Sequence, residues 1–292
     1  MRRWLVALVL AFLPLWAAAQ AEVRFAIVKT ASLRVKQGLV FSGGSFSEDV
    51  ASHFSAFLVE HGDDRFLFDA GLGRQVAQQY AQDMPRWNRP FFRYEDPVHP
   101  AAEQLQAAGI GPIRRIVLSH AHWDHASGLE DFPGAEVWLA GEELDFVRHP
   151  ASKVGSAWPS QVVGKPVRWQ AIAFEPVAFE GFERSLDLYR DGSAVLVPMF
   201  GHTPGSVGLF LRTSTGRRFF FVGDVVWNAG ALAEGRPKFW AGRWLVDHDP
   251  APTLAAIEKI RAAMARDPAL VVVPAHDGGV QDRLGLFPQW VR

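Results

Sequence analysis

The chain contains no cysteine. That excludes disulfides, thiolate metal ligands and a cysteine nucleophile. It also lacks a surplus of positive charge. Its 30 Lys and Arg stand against 31 Asp and Glu, so the totals give no reason to expect nucleic acid as a partner. There is no acidic tail, low-complexity linker or short-period repeat. Hydrophobic residues make up 49% and charged residues 21% of the 292 positions. Those values belong to a globular chain, not to a disordered one or a coiled coil. With cysteine absent, the ten histidines are where chemistry is to be sought.

The first residues read as an address. Arg2 and Arg3 precede an apolar stretch from Trp4 to Trp16, and then comes Ala17-Ala18-Ala19-Gln20-Ala21. A basic start, a short apolar run and an Ala-x-Ala site make a secretory signal. The run is shorter than the ~20 residues of a spanning helix. We expect residues 1–21 to be removed and residues 22–292 to form one exported hydrolase domain, periplasmic or secreted, with no membrane contact afterwards. The remainder carries 28 basic and 31 acidic residues.

Apolar patterning then alternates strands with helices. Strands are expected at Phe54–Glu60, Arg65–Phe68, Ile113–Leu118 and Glu136–Ala140, with helices at Pro100–Ala108 and Glu142–Val147. The second half repeats the theme. Its strands are Ser185–Tyr189, Ala194–Met199, Val207–Arg212, Arg218–Val222 and Leu270–Val273, and its helix is Pro250–Ala265, capped by Asp249. Residues 73–97, rich in aromatics and proline, and residues 227–248, rich in tryptophan and glycine, read as loop insertions. Trp87, Trp227, Trp240 and Trp244 lie in them and could wall an apolar substrate pocket.

The strongest local signal is His120-Ala121-His122-Trp123-Asp124-His125. Imidazole nitrogen and carboxylate oxygen suit zinc, with iron or manganese as alternatives. Two histidines two apart at the end of a strand can face one point, and Asp124 and His125 in the turn can face a second. Six residues cannot fill two metal spheres, so further ligands must come from other strand ends. His202, Asp224 and His276 each follow an apolar strand and open a loop.

These residues resemble the metallo-β-lactamase superfamily. His120 to His125 is similar to its HxHxDH signature, and Gly201-His202-Thr203-Pro204-Gly205-Ser206 to its second motif. Phe221-Val222-Gly223-Asp224 and Pro274-Ala275-His276-Asp277 look like the later ones, and Phe68-Asp69-Ala70-Gly71 like the strand end that precedes them. The resemblance implies an α/β fold, a four-layer αββα sandwich with helices outside two mixed sheets and metals at one edge. It implies His120, His122 and His202 on a first zinc, Asp124, His125 and His276 on a second, and Asp224 bridging them. Two divalent ions about 3.5–4 Å apart repel, and a shared carboxylate and hydroxide offset that. Asp69 then orients a ligand histidine by a hydrogen bond, and Asp124 can pass a proton to the leaving group.

The resemblance further implies a dinuclear hydrolase of small molecules, in which the shared hydroxide attacks a carbonyl. An aspartate as bridge, with the aromatic insertion, looks most like the acyl-homoserine-lactonase-like branch, so an ester or lactone with an apolar group is expected. The alternatives are a thioester or phosphotriester hydrolase, a β-lactamase, or a non-catalytic metal-binding protein. One position departs from that branch. Its members place a tyrosine three residues after the bridging aspartate, and this chain has Trp227. A replacement donor is sought in Tyr80 or Tyr94.

Overall fold

The computed structural model describes residues 21–292. The expected signal peptide therefore lies outside the described residues, apart from its last alanine. In chain order the strands are β1 Val23–Lys36, β2 Asp49–His61, β3 Asp64–Phe68, β4 Arg115–Val117, β5 Glu136–Ala140, β6 Arg168–Ile172, β7 Leu186–Asp187, β8 Ala194–Pro198, β9 Val207–Arg212, β10 Arg218–Phe221 and β11 Val271–Val273. The helices are α1 Gln37–Val40, α2 Val76–Asp83, α3 Ala101–Ala107, α4 Trp123–Ala126, α5 Gly141–Arg148, α6 Pro159–Val162, α7 Ala229–Ala233, α8 Trp240–Val246, α9 Pro250–Arg266 and α10 Gly278–Leu284.

One sheet has the order β1-β2-β3-β4-β5-β6 and the other β11-β10-β9-β8-β7. Strands β3 to β6 pair in parallel, as do β10 and β11, while the remaining neighbours are antiparallel. Both sheets are thus mixed. The two-residue period of a strand distributes the rings between layers. Phe219 and Phe221 of β10 face inward, meeting Phe25 at ring separations of 4.8 and 5.1 Å. Phe220, between them, faces outward and packs with Ile257 and Ile260 of α9. Leu67 of β3 likewise turns outward toward Leu105 of α3, while Phe66 and Phe68 join the inner layer. Apolar residues on both faces of both sheets require cover on both sides, and the result is the expected four-layer αββα arrangement. Asp249 caps α9 as expected, accepting from Ala251 N at 3.0 Å.

Some expectations change. The long β1 and the short β6 were not anticipated. β1 runs along β2 from Val23↔His61 to Lys36↔Asp49 and carries residues out to the site end. The segments 73–97 and 227–248 are not bare loops: the first contains α2, and the second contains α7 and α8. Tyr80 of α2 packs on Trp123 at 5.7 Å, so tertiary contact supports a helix that local patterning left undetected.

Candidate metal centre

Strands β3, β4, β8, β10 and β11 all end on the same edge of the sandwich, and each hands over to one functional segment. Asp69 follows β3, His120 to His125 follow β4, His202 follows β8, Asp224 follows β10 and His276 follows β11. Side chains far apart in sequence thereby converge. His120, His122 and His202 bring ligand atoms within 4.8 Å of one another, as do Asp124, His125 and His276, and as do His120, His125 and Asp224. Asp224 spans the two groups. Its Oδ1 lies 3.2 Å from His276 Nε2 and 3.4 Å from His125 Nε2, while Oδ2 lies 3.8 Å from His202 Nε2.

The second ring nitrogens are held from behind. His120 Nδ1 lies 3.0 Å from Ser119 Oγ, His125 Nδ1 2.8 Å from Asp69 Oδ2, His202 Nδ1 2.7 Å from Asp247 Oδ1 and His276 Nδ1 2.8 Å from the His53 carbonyl. A ring whose Nδ1–H donates presents the Nε2 lone pair to a cation. Asp69 also accepts from Ser119 N and Oγ at 2.7 and 2.8 Å, fixing the start of the His120 loop. Among the described residues His122 Nε2, His125 Nε2 and Asp224 Oδ1 are buried without a hydrogen-bond partner. Buried polar atoms are rarely left so, and His125 Nε2 and Asp224 Oδ1 face each other within the cluster at 3.4 Å. The donor set and its orphan atoms fit two divalent cations.

Electrostatics agree. Burial and the neighbouring imidazoles hold His120 and His122 well below the usual histidine range, and burial and Lys238 lower His202. These shifts favour the neutral form of the ring, the form in which an imidazole can coordinate a metal. On the other side, burial opposes charging of His125 and His276, but the surrounding carboxylates outweigh it. His125 is raised well above its ordinary value by Asp69, Asp124 and Asp224, and His276 is pushed up to about 10 by Asp224 and Asp124. Burial also opposes the Asp224 anion, yet His276 and His125 carry its carboxyl well below the usual range. A centre that draws in protons to balance buried carboxylates is one that favours cations.

Several supporting residues escaped the sequence reading. Glu143 of α5 is fully buried and accepts from Ala121 N at 2.7 Å, Thr203 Oγ1 at 2.7 Å and Gly205 N at 2.8 Å. It ties the His120 loop to the His202 loop. Gly205 permits this approach, since a Cβ there would lie 2.4 Å from Glu143 N. Lys238 is buried, with Nζ 2.7 Å from the Asp224 carbonyl and also paired with Asp247. Asp247, in the second insertion, is the carboxylate that meets both His202 Nδ1 and Lys238 Nζ. A buried acid or lysine leaves no mark in sequence that separates it from a surface charge.

Beside the cluster lies a cleft of about 520 Å³, lined mostly by apolar side chains and opening onto His122, Asp124, Asp224 and His276. Both insertions wall it, the first with Trp87, Phe91 and Phe92 and the second with Trp227, Phe239 and Leu245. Trp227 turns its indole N–H onto Asp224 Oδ2 at 2.9 Å. Two expectations need correction. Trp240 is 64% exposed and does not line the cleft, and neither does Trp244. α8 turns these two rings outward to solvent. Tyr80 donates to the Phe92 carbonyl at 2.8 Å, and neither it nor Tyr94 lines the cleft, because both rings pack against Trp123.

Known proteins resemble this chain in sequence and in fold. The chain is 25% identical over 272 residues to an N-acyl homoserine lactonase, AttM, of Azorhizobium caulinodans, covering 88% of this chain and 94% of that one. Its fold matches the solved structure of an N-acyl homoserine lactone hydrolase with N-hexanoyl-L-homoserine at the catalytic metal centre. That match has a TM-score of 0.73 at 14% identity, over 94% of this chain and 100% of the other. The dizinc lactonase AidC matches with a TM-score of 0.60 at 18% identity, over 88% of both chains. The family model of the metallo-beta-lactamase superfamily matches residues 54–276, the span from Phe54 on β2 to the last histidine of the cluster. The chain belongs to the metallo-beta-lactamase superfamily.

Proposed function

We propose that this metal-dependent hydrolase opens the ester bond of lactones that carry an apolar acyl group. The observation that carries the reading is the apolar cleft of about 520 Å³ running directly onto the histidine–aspartate cluster. An acyl chain fills such a cleft by the hydrophobic effect, and a few polar groups at one end fix the reacting bond. Resemblance over nearly the whole chain to a lactonase supports it.

In this reading His120, His122 and His202 would hold one zinc, Asp124, His125 and His276 would hold the other, and Asp224 would serve both. Two zinc ions, when bound, supply an activated water at neutral pH and Lewis-acid polarisation of the substrate oxygen. The protein's own side chains do the rest. Asp69, Ser119, Asp247 and the His53 carbonyl hold the imidazoles in their productive tautomers. Asp124, on the cleft wall, is placed to take up a proton and release it to the leaving alkoxide. The Trp227 N–H is already engaged by Asp224, so Trp227 serves as a wall and as an anchor for that carboxylate, not as a donor to the substrate carbonyl.

Lactones of graded acyl length, aryl esters, thioesters and phosphotriesters, assayed on one zinc-loaded preparation, test the proposal. We expect lactones to be turned over fastest, with KM falling as the acyl chain lengthens. A phosphotriester or thioester preferred over every lactone would contradict it. We also propose export as residues 22–292 in one domain, on the strength of Arg2, Arg3 and the apolar run to Trp16. N-terminal sequencing of secreted protein should begin at Gln20 or Glu22, and a start at Met1 would overturn it.

A further inference from the structure

The two segments that wall the cleft have an uncommon composition. Residues 84–94 (Met-Pro-Arg-Trp-Asn-Arg-Pro-Phe-Phe-Arg-Tyr) and 235–246 (Gly-Arg-Pro-Lys-Phe-Trp-Ala-Gly-Arg-Trp-Leu-Val) interleave cations with aromatic rings and contain no acid, in a chain whose total charge is −1. The fold brings them to one opening, since both line the same cleft. Four of their rings, Trp87, Phe91, Trp240 and Trp244, are 59–77% exposed. A fifth exposed ring, Phe46, meets Phe239 at 6.1 Å. Arg86, Arg89 and Arg243 of these segments, and Arg283 on the cleft wall, have no acidic partner among the described residues, while Arg93 and Arg236 pair with Glu95 and Glu234. The nearby acids Asp49 and Asp282 are taken up by Lys36 and His53.

A soluble surface rarely gathers large apolar rings in this way. Tryptophan and arginine together are the composition of a surface that sits at the headgroup level of a bilayer. A second copy of the chain is a poor occupant. A two-fold contact would set this patch against itself, arginine facing arginine, with the flanking Glu95, Glu234 and Asp247 already paired within the chain. We propose that the mouth of the cleft docks on an anionic phospholipid bilayer, the arginines meeting lipid phosphate and the tryptophans entering the interface. No described helix is long and apolar enough to cross a membrane, so the contact is peripheral. Docking would let a lipophilic substrate pass from the bilayer into the cleft. It departs from the sequence expectation of no membrane contact after export.

Co-sedimentation of the purified protein with phosphatidylcholine vesicles, with and without phosphatidylglycerol, tests this. Binding should require phosphatidylglycerol and weaken as salt is raised. Arg86→Gln and Arg243→Gln should each weaken it about fivefold. The double variant Trp240→Ser/Trp244→Ser should weaken it at least tenfold. Neither tryptophan lines the cleft, so turnover of a short, soluble lactone should stay at the wild-type value in that variant. Absence of vesicle binding, or equal binding by these variants, would overturn the proposal. So would dimerisation that the tryptophan variant abolishes, or tighter binding to a single-stranded oligonucleotide than to vesicles. Vesicle binding is read without turnover, so an inactive enzyme would refute the lactonase reading and leave this one standing.

Discussion

Trp227 stands where the lactonase-like pattern has a tyrosine, and its indole N–H is spent on Asp224 Oδ2 at 2.9 Å. A hydrogen bond to a charged group contributes about 1.5–3 kcal/mol, and groups that orient a metal ligand typically govern affinity or activity about 10–100-fold. Trp227→Phe keeps an aromatic wall and deletes the donor. We expect zinc affinity and kcat to fall about tenfold or more while KM for a long-acyl lactone changes little. Chelator competition and steady-state kinetics read the two separately; unchanged zinc affinity would show that the contact does not orient Asp224. A second residue-scale outcome concerns Asp247, the carboxylate partner of both His202 and Lys238. Asp247→Ala leaves the Lys238 cation buried and unpaired, a loss of about 3–5 kcal/mol where such pairs are broken. Adding Lys238→Met should recover part of that stability in urea titrations, because no buried charge then remains at the position. A double variant as unstable as the single one would contradict this account of the pair.

Among the elements, the strand ends carry the chemistry and α5 locks them together. Glu143 joins the loop after β4 to the loop after β8 through three accepted hydrogen bonds. Burial pushes its carboxyl up to about 7, against those bonds, from an ordinary value of 4.5. A folded-state value above the unfolded one means the group binds more protons when folded. Its contribution to stability is therefore full below about pH 4.5 and is lost as pH rises through about 7. In Glu143→Gln that dependence disappears. The stability gap between wild type and variant should narrow by about 3 kcal/mol between acid and mildly alkaline pH. Urea titration of both proteins in metal-free form checks this, and a gap that is constant or widens would contradict it.

The seven cluster residues were visible because each sits at the end of an apolar strand beside glycine, proline or another ligand. The short apolar strands β4 and β11 were visible for the same reason. β1 was missed because its alternation is broken by the irregularity between Lys29 and Ala31. Helices α2, α7 and α8 were missed because contacts supplied by distant segments, not local periodicity, hold them. Glu143, Lys238 and Asp247 were missed because burial of a charge is a property of the fold, invisible until its partners are in place.

For the molecule as a whole, two sheets deliver five strand ends to one edge, and two insertions raise aromatic walls over it. The near-neutral total concealed the positive, aromatic rim, because acids elsewhere in the chain balance it. We propose that two zinc ions held at this edge together open lactones. Titration of zinc into metal-free protein, with turnover of an acyl lactone followed at each addition, tests both halves at once. Activity should climb to a plateau at about two equivalents per chain, as a two-metal centre requires. Asp224→Ala should bind fewer ions and reach a plateau lower by several orders of magnitude. A plateau at one equivalent, full zinc binding and turnover by Asp224→Ala, or no lactone turnover at any zinc level would contradict this proposal.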